Sequence, residues 1–111
     1  MVARAAAPGC ADPDPMCPGM RAVYPCVYDP EDIPFAYYAR FADNPAYMRD
    51  LSQLDRDLAG TLPNVSFVKP LGFRTEHPGD GTRISDGVAW VSSVVQHIRA
   101  SRYASSTVIL L

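Results

Sequence analysis

The chain has 111 residues, a formal net charge of -2 at pH 7 and 48% hydrophobic residues, which allows at most one small domain. No Lys/Arg stripe interleaves with aromatics, so the electrostatic footprint of a nucleic-acid binder is missing. The longest apolar run falls far short of the roughly 20 residues a membrane-spanning helix needs, and the start, Met1 to Pro8, lacks the apolar core of roughly 7–15 residues that marks a signal peptide.

Residues 1–34 form a Pro-rich segment that holds seven of the eleven prolines: Pro8, Pro13, Pro15, Pro18, Pro25, Pro30 and Pro34. Each lacks an N–H donor and biases its predecessor away from helix, so an irregular or extended segment is expected. Cys10, Cys17 and Cys26 also fall here. Their spacing fits no zinc pattern, which wants pairs two to four residues apart. One disulfide plus a leftover thiol in an exported parent protein, or three reduced cysteines, both stay open.

Residues 35–111 read as an α/β domain. Phe35, Tyr37, Tyr38 and Phe41 predict a short helical turn whose aromatic rings join a core rather than a stacking platform for a ligand. Asn44 can cap and Pro45 can take the first position of a helix. Met48, Leu51, Leu54 and Leu58 then recur at helical steps, and Gly60 stops the run. Val65-Ser66-Phe67-Val68 reads as a strand over about 64–69. Lys69 at its end is a cation that could meet an anion, or a snorkelling surface residue.

The loop 70–84 carries Gly72, Pro78, Gly79 and Gly81, which predict turns. A loop this long in a small domain is more often functional than filler. Ser85 or Asp86 is expected to cap a second helix that buries Val88, Val91, Val94, Val95 and Ile98 and ends near Ser101. His97 lies on its surface face and Trp90 at its edge. Thr107 to Leu111 reads as a final strand. Strand, crossover helix, strand is a βαβ unit, so the expected fold is a partial parallel sheet with covering helices.

Within that frame His77 is the strongest chemical candidate. An imidazole can donate to a phosphoryl or carbonyl oxygen, or shuttle a proton, near neutral pH. Pro78 and Gly79 fix and open the backbone beside it, and Glu76 can orient the ring or hold a turn. In open α/β sheets ligands bind beyond the carboxyl ends of strands, where this loop would lie. Asp43, Asp50, Asp55 and Asp57 are spread around a helix and do not form a paired-carboxylate site. Ser66 has no Gly-flanked elbow to make it a nucleophile.

The run Leu62 to Gly72, followed by Glu76-His77-Pro78-Gly79, resembles the bacterial phosphoesterase family of phospholipases C and acid phosphatases, within the alkaline-phosphatase-like superfamily. The likeness continues through Asp86-Gly87-Val88-Ala89-Trp90-Val91 and Arg99 to Tyr103 to the final apolar run, and it includes Tyr28 to Phe35 upstream. It covers about 28–111. The resemblance implies a fragment of an alkaline-phosphatase-like fold from a hydrolase acting on ester bonds of phosphate monoesters or phospholipid head groups. It places His77 beside the phosphoryl group as a catalytic residue, with Glu76 and Gly79 around the substrate. It also implies a divalent metal and a Ser or Thr nucleophile in the full-length family enzyme, whose parent protein would be periplasmic or secreted. The family's early Glu-Asn metal motif, its nucleophile segment and the acidic pair after the last strand have no counterpart in this sequence. No metal ligand is assigned in this chain, and an internal fragment, inactive alone, is expected. The alternative is a non-catalytic small α/β structural or interaction protein.

Overall fold

The structure is a computed structural model, and it describes residues 28, 32–42, 44–77 and 82–111. The three cysteines, Gly79 and most of the Pro-rich segment lie outside the described residues. Two α-helices, α1 (Gln53–Ala59) and α2 (Ile84–Ala100), are accompanied by two 3-10 turns, Pro34–Tyr37 and Gly72–Arg74.

Pro34 opens the first 3-10 turn, where its missing N–H costs nothing and its fixed φ suits the bend. Phe35 then meets Phe41 and Phe67 edge-on, at centroid distances of 5.5 and 4.9 Å, and Phe41 meets Tyr47 at 5.1 Å. Phe35 and Phe41 are thus half-buried in the edge-to-face geometry that the ring quadrupole favours, whereas Tyr37 (64% exposed) and Tyr38 (61%) stay at the surface, so the four rings do not join a buried core as expected.

Asn44 closes a turn and does not cap the expected helix, which starts only at Gln53 after Ser52. Its side-chain oxygen accepts the Ala46 N–H at 3.0 Å, and its carbonyl accepts Tyr47 and Met48. That turn does not run on into a continuous helix, however. Asp50 Oδ1 accepts the Ser52 N–H at 2.9 Å, and the Tyr28 hydroxyl accepts the Leu51 N–H at 2.9 Å. Asp and Asn compete locally for backbone donors in this way, and a second start is the result. Helix α1 therefore begins only at Gln53 and ends at Gly60, whose N–H reaches the Arg56 carbonyl at 2.8 Å.

Helix α2 is rich in β-branched valine, a modest helix former. Packing of its apolar stripe holds it helical: Val91, Val94, Val95 and Ile98 are half-buried, whereas Ile84 and Val88 at its start are exposed. It begins at Ile84 with Arg83 at the N-cap, so neither expected cap, Ser85 or Asp86, takes that place, and Asp86 instead pairs with Arg83 at 3.2 Å. It packs against α1 and against the second 3-10 turn. Leu58 of α1 (6% exposed) and Phe73 of that turn (7%) are the buried apolar side chains among the described residues.

The expected partial parallel sheet and βαβ unit are not formed: among the described residues there are two helices and no strand. Residues 64–69 and 107–111 make no backbone hydrogen bond to each other or to any other described segment. Both runs have the β-branched composition of strands, but composition alone does not make a strand. A strand exists only through a ladder with a neighbour, and neither run has one. Val65 is 74% exposed, Phe67 63% and Leu110 90%, and Val68 and Thr107 on the alternate faces are only half-buried, so neither run has a buried face. Trp90, expected at a helix–sheet edge, is half-buried on α2 with no sheet beneath it.

One side chain ties the end of the chain to the middle. The Tyr103 hydroxyl accepts the Leu62 N–H at 3.1 Å and donates to the Gly60 carbonyl at 2.9 Å. Ser101 and Thr107 stabilise the same turn, their hydroxyls donating to the carbonyls of Ile98 (2.7 Å) and Tyr103 (2.9 Å). Removing the phenol oxygen strands one backbone donor and one acceptor that are partly open to water. Tyr103→Phe is expected to lower stability by about 1 kcal/mol, seen in urea unfolding as a lower midpoint with an unaltered slope. An unmoved midpoint would show that this tie contributes nothing.

Candidate functional site

The segment that carries the candidate residues leaves the exposed apolar run at Lys69. The ammonium lies 3.4 Å from the Asp32 carboxylate, so this cation is engaged at the foot of the first 3-10 turn. Pro70 and Leu71 then lead into the second 3-10 turn. Thr75 closes that turn twice on the Gly72 carbonyl, through its N–H at 3.1 Å and its hydroxyl at 2.8 Å. Phe73 anchors the turn in the core, and the Arg74 guanidinium rests 5.1 Å from its ring centroid, within range of a cation–π contact.

Glu76 follows with φ of 63°, the positive-φ residue among the described non-glycines. A left-handed backbone costs a side-chain-bearing residue roughly 1–2 kcal/mol, so surrounding contacts must impose it. Its side chain lies against α2 at Gly87, the buried residue of that helix. A Cβ at Gly87 would sit 2.8 Å from Glu76 Oε1 and 2.9 Å from its Cδ. The carboxylate thereby lies by the first turns of α2, where the positive end of the helix dipole favours negative charge.

His77 is exposed, and its ring makes no hydrogen bond or ion pair among the described residues. No such bond joins it to Glu76 either. Its backbone, by contrast, is held: the Thr82 hydroxyl donates to the His77 carbonyl at 2.7 Å. The structure therefore presents an imidazole that is unengaged among the described residues, on an anchored piece of backbone. What places it is the second 3-10 turn and the start of α2, and the expected sheet edge plays no part because the described residues form no sheet.

Elsewhere the expected chemistry is not assembled. His97 sits on α2 with Nδ1 3.1 Å from Asp55 Oδ1 of α1, both side chains exposed. Such a pair contributes little to stability. Asp57 is held by Gln53 (2.7 Å) and faces Arg49 at 3.6 Å. Ser66 is exposed on its unpaired run. Among the described residues no three His, Cys, Asp or Glu side chains gather as a metal-ligand set. No helix in the described part is long and apolar enough to cross a membrane.

An open apolar groove of about 510 Å³ runs between Tyr28, the aromatic cluster, α1 and residues 62–69. Neither Glu76 nor His77 lines it. Its lining is mostly apolar, with Arg49, Gln53, Ser66 and Lys69 among its polar residues, and it does not reach His77, the chemical candidate. The sequence marks Thr82 only as part of a loop and Gly87 only within the run that carries the family resemblance, with no site role for either. A lone glycine inside an otherwise apolar-periodic helix was the available sign of close backbone approach there.

Comparison with curated proteins gives no match, and neither does comparison with solved structures. A family model does match: that of the Phosphoesterase family, over residues 28–111. The match starts at Tyr28, whose hydroxyl holds the head of α1, and it contains the whole segment from Lys69 to α2. The chain therefore belongs to the phosphoesterase family and carries a domain of the phosphoester-hydrolase type.

Proposed function

We propose that this chain contributes to hydrolysis of a phosphate ester, either a phosphate monoester or the head-group ester of a phospholipid, with His77 as the residue that meets the phosphoryl group. The family match over residues 28–111 carries the reading, and the exposed His77 ring, unengaged among the described residues, is its chemical focus.

Hydrolysis breaks the bond from phosphorus to the ester oxygen and forms one from phosphorus to the oxygen of water. Negative charge builds on the phosphoryl oxygens and on the departing alkoxide. A protonated imidazole serves this in two ways: it donates a hydrogen bond to a phosphoryl oxygen, or it passes its proton to the leaving oxygen. Glu76 and Gly79, on either side of His77-Pro78, border the substrate in this proposal, and Gly79 lies outside the described residues. The nucleophile and the divalent metal expected of the full-length family enzyme are assigned to none of the described residues. When bound, such a metal would supply positive charge to the phosphoryl oxygens.

The test compares the wild-type protein, as the cell makes it, with His77→Ala, on p-nitrophenyl phosphate and on a phosphocholine ester. Loss of an acid–base residue is expected to lower kcat by about 10²-fold or more, and the substrate that is turned over identifies the ester class. An unchanged kcat would take His77 out of the chemistry. It would leave the non-catalytic role of an interaction or structural domain.

A further inference from the structure

We propose that Gly87 and Thr82 are positioning residues for His77, acting through Glu76 on one side and through the His77 carbonyl on the other. The inference deepens the reading of His77 given above and rests on it. Three observations converge. Glu76 adopts a left-handed backbone that its own side chain disfavours. Its side chain occupies the space a Cβ at Gly87 would take, 2.8 Å from Oε1. The Thr82 hydroxyl fixes the next carbonyl along, that of His77, at 2.7 Å.

The dihedral angles of residue 76 set the direction in which residue 77 leaves the chain. A Glu76 released from Gly87 falls back to an ordinary negative φ, and the His77 ring swings away with the peptide plane. Gly87 is thus a seat. Glycine at an interior helical position is unfavourable relative to alanine, and here it is the buried residue of α2. The seat also manages charge. Glu76 borders the substrate in the reading above, and its carboxylate, laid by the start of α2, meets the positive end of that helix, which offsets its repulsion of a phosphoryl group. Glu76 therefore serves as a wedge whose place on α2 aims the imidazole. The absence of any hydrogen bond between Glu76 and His77 fits a wedge and does not fit a residue that orients the ring directly.

Backbone 15N order parameters of the 111-residue chain, read together with its melting temperature, test this without any substrate. In the wild type the His77 amide is expected near the rigid value of about 0.85. Gly87→Ala is expected to drop it below about 0.6, while the melting temperature holds or rises, because alanine is the better helix former. Thr82→Val, which keeps the shape and loses the hydroxyl, is expected to drop it as well. Should Gly87→Ala fail to fold, Glu76→Ala removes the wedge without adding an atom to the helix and carries the same expectation. An unchanged order parameter at His77 in Thr82→Val and in whichever of the other two variants folds would overturn the proposal.

Turnover separates this inference from the reading beneath it. Loosened His77 order accompanied by a roughly tenfold or larger fall in kcat supports both. Unchanged order in a protein whose turnover still depends on His77 overturns the seat and leaves the phosphoryl contact standing. Loosened order with turnover indifferent to His77 overturns the positioning role together with the chemistry it serves.

Discussion

A missing side chain is the constraint on which the candidate site depends. At Gly87 helix α2 has bare backbone, and the segment from Gly72 to His77 lies against it because no Cβ stands in the way of Glu76. From that contact follow the left-handed turn at Glu76, the exposure of His77, and the nearness of Thr82, whose hydroxyl reaches back over five residues to the His77 carbonyl. Phe73, three residues before Glu76, secures the same segment from the other end by its burial. The His77 ring takes no part in holding the structure among the described residues. An imidazole that meets a substrate must keep its donors free, so the neighbours carry the structural role.

The rest of the molecule is held by a small amount of burial and by ties at chosen points. Leu58 and Phe73 are the buried apolar side chains of the described part, and two such residues supply only a few kcal/mol of hydrophobic stabilisation, about 1.5–3 kcal/mol each. Phenol hydroxyls complement them. Tyr28 holds the backbone at Leu51 where α1 starts, and Tyr103 spans Gly60 and Leu62 where it ends. Largely exposed apolar runs remain at 65–68, where Val68 is half-buried, and at 108–111, with backbone groups that pair with no other described segment. Runs of this kind are templates for strand pairing with another segment.

What was legible in the sequence was local. The stop at Gly60, the turn at Asn44, the 3-10 bend after Pro34 and the end of α2 near Ser101 all follow from residues within a turn of one another. His77 stood out for the same reason: Glu76-His77-Pro78-Gly79 carries its chemistry in four consecutive letters. The failures were non-local. Val65 to Val68 and Thr107 to Leu111 have strand composition, yet pairing depends on a partner that composition does not reveal, and the βαβ unit inferred from them is absent from the described residues. The break before α1 needed Tyr28, more than twenty residues away in sequence, to engage Leu51. The contacts of Glu76 with Gly87 and of His97 with Asp55 join residues from different elements, and neither leaves a periodic trace.

The chain has two histidines, and that provides an internal control for the central claim that the His77 ring is the one poised to meet a phosphoryl group. Ring resonances of both imidazoles, recorded by 15N-edited NMR at neutral pH while inorganic phosphate is added, put the claim to the test most directly. A saturable shift is expected at His77, while His97, engaged with Asp55 across the helix pair, stays still. Equal movement of both rings, or no movement at His77, would contradict the claim.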